Sequence, residues 1–290
     1  MTATTLRPIA RPLAAALRNA EVNGRPVRAV GAANAPAAKI AAGAGFDALW
    51  VSGLEVSTAL GLPDENVLGP RDLADVVLTL RRTTDLPVIV DIDNAGGAVG
   101  PAGRFAFDLA RAGASAVCLE DSAYPKTNSF SMHRDQSLAD LDLVRTQLKE
   151  IRAQAGPEML LIARTETLIC GGSVAEAVAR AEAYVAAGAD AVLLHSKDAS
   201  GQQALAVGKA WTGLAPLVSV PTAFPHLGPD ELGAAGYALA IYANQLSRAA
   251  MAAMREAADH FRANGAFDPA RLADVQDLLQ VADPAARACL

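Results

Sequence analysis

Asp91 and Asp93 follow the apolar run Pro87-Val88-Ile89-Val90, and Glu120 follows Ser115-Ala116-Val117-Cys118-Leu119. Three carboxylates grouped in this way can hold a hard divalent cation, Mg2+ or Mn2+. Mg2+ dehydrates reluctantly, which favours one carboxylate binding directly and its neighbours acting through bound water. Arg164 closes Met159-Leu160-Leu161-Ile162-Ala163, with Glu166 two residues on, and His195 closes Ala191-Val192-Leu193-Leu194 ahead of Ser196-Lys197. A guanidinium grips carboxylate or phosphoryl oxygens in two places, and histidine can donate to them or move a proton. Each residue also has an ordinary reading: a carboxylate as a helix cap, Arg-x-Glu as a structural ion pair, a single His as a satisfied core residue. Their shared position after apolar runs favours chemistry. The stretch Trp50-Val51-Ser52-Gly53-Leu54 ends another such run, and its Ser-Gly corner offers a hydroxyl and free backbone amides to an anion. The segment from Ser122 to Arg134 is polar, contains Pro125 and is long for a connection of this kind, as a substrate-covering lid would be. Lys126 and Asn128 would reach the substrate when it closes. The chemistry indicated is metal-assisted work on a small anionic substrate.

These groups need a scaffold that brings them to one place. Strand-like runs recur at Val27–Ala32, Ala48–Val51, Pro87–Ile92, Ala116–Glu120, Met159–Ala163, Ala191–His195, Pro216–Val220 and Tyr237–Tyr242, with helical patterns in most intervals. Ala42-Gly43-Ala44-Gly45, Ala112-Gly113-Ala114 and Ala187-Gly188-Ala189 each end a helical pattern just before a strand. Ser173-Val174-Ala175-Glu176 has the spacing of a capping box. About eight βα units fit a (β/α)8 barrel better than an open doubly wound sheet, and no Gly-x-Gly-x-x-Gly follows the first strand. Acidic residues at the C-terminal ends of barrel strands then lie where such folds carry active sites. After the eighth strand come a helical pattern from Asn244 to Asn264 and another from Ala270 to Val281, one more than a barrel needs. The surplus helix must bury Leu272, Val275, Leu278 and Leu279, on its own barrel or on a neighbouring subunit.

Composition sets the remaining bounds. With 290 residues, 52% of them hydrophobic and 19% charged, the chain can bury a large core, and no compositional shift divides it, so one domain over 1–290 is expected. A net charge of −6 argues against nucleic-acid binding, which needs clustered Lys and Arg. Cys118, Cys170 and Cys289 lack Cys-x-x-Cys spacing and read as reduced, structural thiols in a cytoplasm. No apolar run approaches the roughly 20 residues that span a bilayer, so no membrane role is expected. Arg7, Arg11 and Arg18 give the start of the chain a faint likeness to a transit peptide, but an N-terminal helix over the barrel floor is the favoured reading.

At four places the chain resembles the isocitrate lyase and phosphoenolpyruvate mutase superfamily, most of all its phosphoenolpyruvate mutase and phosphonopyruvate hydrolase branch. They are Glu120-Asp121 with Pro125-Lys126-Thr127-Asn128-Ser129, Ala163-Arg164 with Glu166, Gly188-Ala189-Asp190-Ala191 with His195-Ser196-Lys197, and Val220-Pro221-Thr222. The resemblance implies a (β/α)8 barrel whose last helix (within about 244–290) is exchanged between subunits of a homotetramer. It also implies Mg2+ at Asp91, with Asp93 and Glu120 supporting its waters. Ser52, Gly53 and Leu54 would bind substrate oxygens, joined by Trp50, Glu166 and Ser196. Arg164 and His195 would hold the anionic ends, Asp64 would organise the site, and Lys126 and Asn128 would belong to the gating loop. The implied reaction interconverts phosphoenolpyruvate and phosphonopyruvate. Hydrolysis of phosphonopyruvate, cleavage of a 2-hydroxy diacid and a non-catalytic binding role are the alternatives. The Lys-Lys-Cys-Gly-His stretch of the lyase branch is missing, which disfavours that route. Asn128 matches the mutase, where the hydrolase has Thr, whereas Pro221-Thr222-Ala223-Phe224-Pro225 looks more like the hydrolase. Two departures touch both: Ser122 stands where Lys is usual after Glu-Asp, and Asp93-Asn94-Ala95-Gly96-Gly97 replaces Asp-Thr-Gly-Tyr/Phe-Gly.

Overall fold

A computed structural model describes residues 10–129, 136–213 and 215–282. Eight parallel strands close into a barrel in chain order: β1 Val27–Gly31, β2 Ala48–Val51, β3 Val88–Asp91, β4 Ala116–Glu120, β5 Leu160–Thr165, β6 Ala191–Leu194, β7 Leu217–Ser219 and β8 Tyr237–Tyr242. Closure comes from β8 pairing with β1, Val27 against Leu239 through Val30 against Tyr242. The helices are α1 Ala10–Asn23, α2 Ala35–Gly43, α3 Gly53–Leu60, α4 Pro70–Thr83, α5 Val99–Ala112, α6 Leu141–Ala155, α7 Val174–Ala186, α8 Gln202–Ala210, α9 Pro229–Ala234, α10 Gln245–Asn264 and α11 Val275–Ala282. This is the (β/α)8 architecture read from the recurring apolar runs.

Local signals explain several boundaries. α5 stops at Gly113, whose φ of +90° is open to glycine and costly for other residues. α7 opens on the capping box: Ser173 Oγ accepts from Glu176 N at 3.2 Å, and Glu176 Oε2 accepts from Ser173 N at 2.7 Å. One boundary differs from the sequence expectation in a way that matters. β5 runs on to Thr165, because Arg164 and Thr165 continue the ladder with Leu193 and Leu194. Arg164 therefore sits within the strand and in register with Glu120, which places a guanidinium beside a carboxylate.

The core has two kinds of layer. Trp50, Ile89, Ala116, Cys118, Ile162, Leu193 and Leu239 fill the lumen, which α1 closes from below with Leu13, Leu17 and Ala20. Burying Leu13 and Leu17 is worth roughly 1.5–3 kcal/mol each relative to leaving them in water. This is the N-terminal floor helix expected from sequence; Arg7 lies outside the described residues. The outward faces of the strands pack against the helices through Val51, Val90, Leu119 and Val192, among others. Cys118 is a buried free thiol and Cys170 a partly buried one, while Cys289 lies outside the described residues. No helix among the described residues is long and apolar enough to cross a membrane.

The end of the chain departs from a plain barrel. α10 has no buried residue, and on the segment that follows Leu272, Val275, Leu278 and Leu279 are all more than half exposed. α11 leans on α2, where Lys39 Nζ donates to the Gln280 carbonyl. The apolar stripe that had to be buried is thus left open by its own barrel.

Candidate active site

The strand ends converge on the C-terminal mouth. β3 stops at Asp91, and the backbone turns at once: Asp93 takes a φ of +48°, which Asp tolerates better than most residues. Its N–H donates to Asp91 Oδ1 at 3.2 Å, and its carbonyl accepts from Glu120 N at 2.8 Å. Asp91, Asp93 and Glu120 are all buried. Burial raises all three carboxyls; Lys126 is the strongest opposing influence at Asp91 and Asp93, and Arg164 at Glu120.

Two cations enter this acidic cluster. Lys126 Nζ lies 3.1 Å from Asp64 Oδ1 and in direct contact with Asp93 Oδ1. Burial alone would lower the Lys126 ammonium, but Asp93, Glu120, Asp91 and Asp64 together raise it, so it stays charged. Arg164 Nε bonds Glu166 Oε1, while its Nη2 donates to Ser129 Oγ at 3.1 Å and lies 3.4 Å from Glu120 Oε2. His195 Nδ1 is 2.8 Å from Glu166 Oε1 and 2.9 Å from Arg164 Nη2. Burial is the largest influence on His195 and lowers its pKa, which favours the neutral ring. Glu166 only accepts and Arg164 only donates, so Nδ1 satisfies one or the other of these two contacts according to the tautomer of the ring. Burial would raise Glu166 too, but Arg164 and then His195 hold it well below the usual carboxylate range.

The cluster sets Asp64, Asp91, Asp93, Glu120 and Glu166 against two permanent cations. Glu120 Oε2 accepts no hydrogen bond. A divalent cation among these groups would offset charge that burial penalises, so the donor set fits a hard metal. Among the described residues no three His, Cys, Asp or Glu side chains form a ready-made cage for it.

The other expected residues divide. Ser52 is the N-cap of α3 but makes no side-chain capping bond, so the first N–H groups of the helix, on Gly53 and Leu54, remain open to an anion. An added Cβ at Gly53 would lie 3.3 Å from Asp93 Oδ1, which ties this corner to the acidic cluster. Trp50 fills the lumen, and its Nε1 has no hydrogen-bond partner. Asn128 Nδ2 donates to Asp64 Oδ2 at 2.6 Å, so the described part of the loop is seated on the mouth; its residues 130–135 lie outside the described set. Glu166, expected at the substrate, instead has both oxygens engaged, by Arg164, His195, Ser129 and Gln136. In this arrangement it braces Arg164 and His195. Ser196 does not join the group: its hydroxyl donates to Gln203 Oε1 at 2.7 Å and accepts from Asp198 N.

Sequence reasoning missed Asn66, Ser129 and Gln136, and gave Asp121 no task. Asp121 accepts from Tyr184 Oη at 2.6 Å, Thr165 Oγ1 at 2.7 Å and Glu166 N at 2.8 Å, anchoring the end of β5 that carries Arg164. Its place in Glu120-Asp121 was the only signal. A cavity of about 160 Å3 opens beside the cluster, lined in part by Gly53, Asn66, Asp91, Asp93 and Tyr124. A larger one of about 550 Å3, between α1 and β1 at the barrel floor, contains none of these groups.

A closed (β/α)8 barrel whose C-terminal mouth gathers buried carboxylates around one ammonium and one guanidinium is a barrel enzyme. Residues 17–262 match the family described as phosphoenolpyruvate phosphomutase, and the chain belongs to that family. It is 39% identical to a phosphoenolpyruvate phosphomutase of Streptomyces hygroscopicus over 227 residues, covering 78% of this chain and 72% of that protein. It is 35% identical to a phosphonopyruvate hydrolase of Variovorax sp. (strain Pal2) over 270 residues, covering 92% and 93%. A crystal structure of phosphonopyruvate hydrolase in complex with oxalate and Mg++ superposes with a TM-score of 0.84 at 34% identity, covering 93% of this chain and 94% of that one.

Proposed function

We propose that this protein interconverts phosphoenolpyruvate and phosphonopyruvate with Mg2+ bound near Asp91. The observation that carries the reading is the loop seated by Lys126 and Asn128 on Asp64, directly over the carboxylate and guanidinium cluster. Asp91 would be the direct protein ligand, with Asp93 and Glu120 reaching the ion through water; the ion would supply positive charge where the enolate oxygen develops. The N–H groups of Gly53 and Leu54 hold the pyruvate carboxylate. Arg164 and Asn128 hold the phosphoryl oxygens while the group passes between the enolate oxygen and C3. Such loose transfer depends on positioning and charge more than on covalent chemistry. Neutral His195, oriented by Glu166, is the remaining polar contact of the cradle.

The seated loop decides the outcome. When it excludes water, the enolate recaptures the phosphoryl group; an oriented water would release phosphate instead. Hydrolysis is the second reading, favoured by Pro221-Thr222-Ala223-Phe224-Pro225 and by the length of the match to the hydrolase. Phosphorus NMR of phosphonopyruvate with enzyme and Mg2+ separates the two: growth of phosphoenolpyruvate supports the mutase, inorganic phosphate supports the hydrolase, and unchanged substrate refutes both. Asn128→Thr is expected to shift the product ratio toward phosphate, and an unchanged ratio would show that residue 128 does not set the outcome.

The open stripe of Leu272, Val275, Leu278 and Leu279 supports exchange of the terminal helices within a homotetramer, since apolar faces of this size are rarely left in water. Sedimentation equilibrium is expected to give a tetramer; a particle of 29.8 kDa would refute it. The free thiols Cys118 and Cys170 support a reducing, cytoplasmic setting.

A further inference from the structure

A chain of hydrogen bonds runs head to tail from the loop after β4 to the Glu120 carboxylate. The Lys126 N–H donates to Asn66 Oδ1 at 2.6 Å, and Asn66 Nδ2 donates to Asn94 Oδ1 at 2.9 Å. Asn94 Nδ2 donates to the Ser122 carbonyl at 3.2 Å and lies 3.5 Å from Ser122 Oγ. Ser122 Oγ in turn donates to Glu120 Oε1 at 2.5 Å. The two ends fix the direction. The Lys126 N–H can only donate and the Ser122 carbonyl can only accept, so each amide between them has one self-consistent orientation. Aligned donors polarise one another along such a chain.

The residues along it are held for the task. Asn94 and Ser122 are buried, and Gln147, itself buried, donates to the Asn94 carbonyl at 3.0 Å and the Ala98 carbonyl at 3.3 Å, bracing the turn after β3. Asn66 takes a φ of +59°, a conformation that Asn adopts more readily than most residues. Ser122 and Asn94, two separate departures in sequence, are direct partners in space.

We propose that Asn66, Asn94 and Ser122 are positioning residues that couple the seating of the Lys126 segment to the orientation of Glu120. With the loop seated, the Lys126 amide fixes Asn66, Asn66 fixes Asn94, and the pair hold Ser122 so that its hydroxyl ties Glu120 Oε1, leaving Oε2 on the Arg164 side. With the loop lifted, the first donor is lost and every later amide is free to turn. The acidic cluster is thus completed only under a closed loop. Because coupling is reciprocal, a change at the Glu120 end must loosen the loop end.

The coupling stands apart from the chemistry proposed above, whereas its effect on turnover rests on that reading, so the test reads each separately. In the full-length protein, tryptic cleavage of the Lys126–Thr127 bond is followed by mass spectrometry alongside thermal melting. Ser122→Ala is expected to speed that cleavage roughly fivefold, as loss of one buried hydrogen bond gives, with the melting temperature of the barrel little changed. Asn66→Gly removes the amide at the other end while tolerating its φ. It is expected to lower kcat for phosphonopyruvate about tenfold, the scale of an outer-shell loss, with KM nearly unchanged. The double variant should be no worse than the poorer single one, since either break interrupts the same chain. Unchanged cleavage in Ser122→Ala, or effects of the two substitutions that multiply, would overturn the coupling. Faster cleavage in a protein that turns over no phosphonate would uphold it and refute the proposed reaction.

Discussion

Asp91→Ala is expected to lower Mg2+-dependent turnover by about 10³-fold or more, because it removes the carboxylate proposed to meet the cation that carries the enolate charge. The fold should survive. Asp91 ends β3 in a fully buried position, where burial raises its carboxyl to about 6 against the pull of Lys126 and Arg164. A carboxyl raised on folding contributes stability in acid that is lost as the pH rises through its folded value. At pH 7.5 the metal-free fold therefore carries a destabilising charge there, and alanine removes it. Steady-state kinetics over a Mg2+ titration, with thermal melting in chelator, check both halves. Full activity would sink the metal assignment, and a metal-free melting temperature well below that of the parent would make Asp91 a folding residue instead.

Arg164→Ala should act on stability and activity together. The guanidinium is buried against Glu166, Glu120 and Asp91, and its removal leaves Glu166 and Glu120 without their main compensating charge. Breaking a buried pair from one side costs about 3–5 kcal/mol. Arg164→Lys separates the roles. It keeps a charge near Glu166 but loses the fork that also reaches Ser129 and the substrate, so most of the stability should return while kcat/KM stays about 10²-fold down. Denaturant midpoints and kinetics on both variants decide the matter. Parental stability in Arg164→Ala would refute the ion-pair account, and full turnover in Arg164→Lys would refute two-pronged recognition.

Much of the architecture was legible because barrel physics is periodic. Apolar runs between helical patterns, closed by Asp91, Glu120 and His195, must deliver those side chains to one mouth once parallel strands close into a ring. Capping is equally local, so Ser173 and Glu176 announced the start of α7. The strand boundary at Arg164 was not legible, because it depends on pairing with β6, and that pairing converts a residue expected after the strand into the neighbour of Glu120.

What the amino-acid sequence determined by itself was the inventory: the eight strands, the acidic and basic groups at their ends, the long polar segment after β4 and the surplus terminal helix. Only the tertiary structure decided which groups touch. Asn66 meets Lys126 across 60 residues of chain, Asn128 meets Asp64 across 64, and Ser129 meets Glu166 across 37. It turned Ser196 toward Gln203, and it set Glu166 Oε1 against Arg164 and His195 and Oε2 against Ser129 and Gln136. The physical reason is that spacing along a chain reports only contacts made within one element. Hydrogen bonds between loops depend on directions and distances of about 3 Å, which exist only after the barrel has closed.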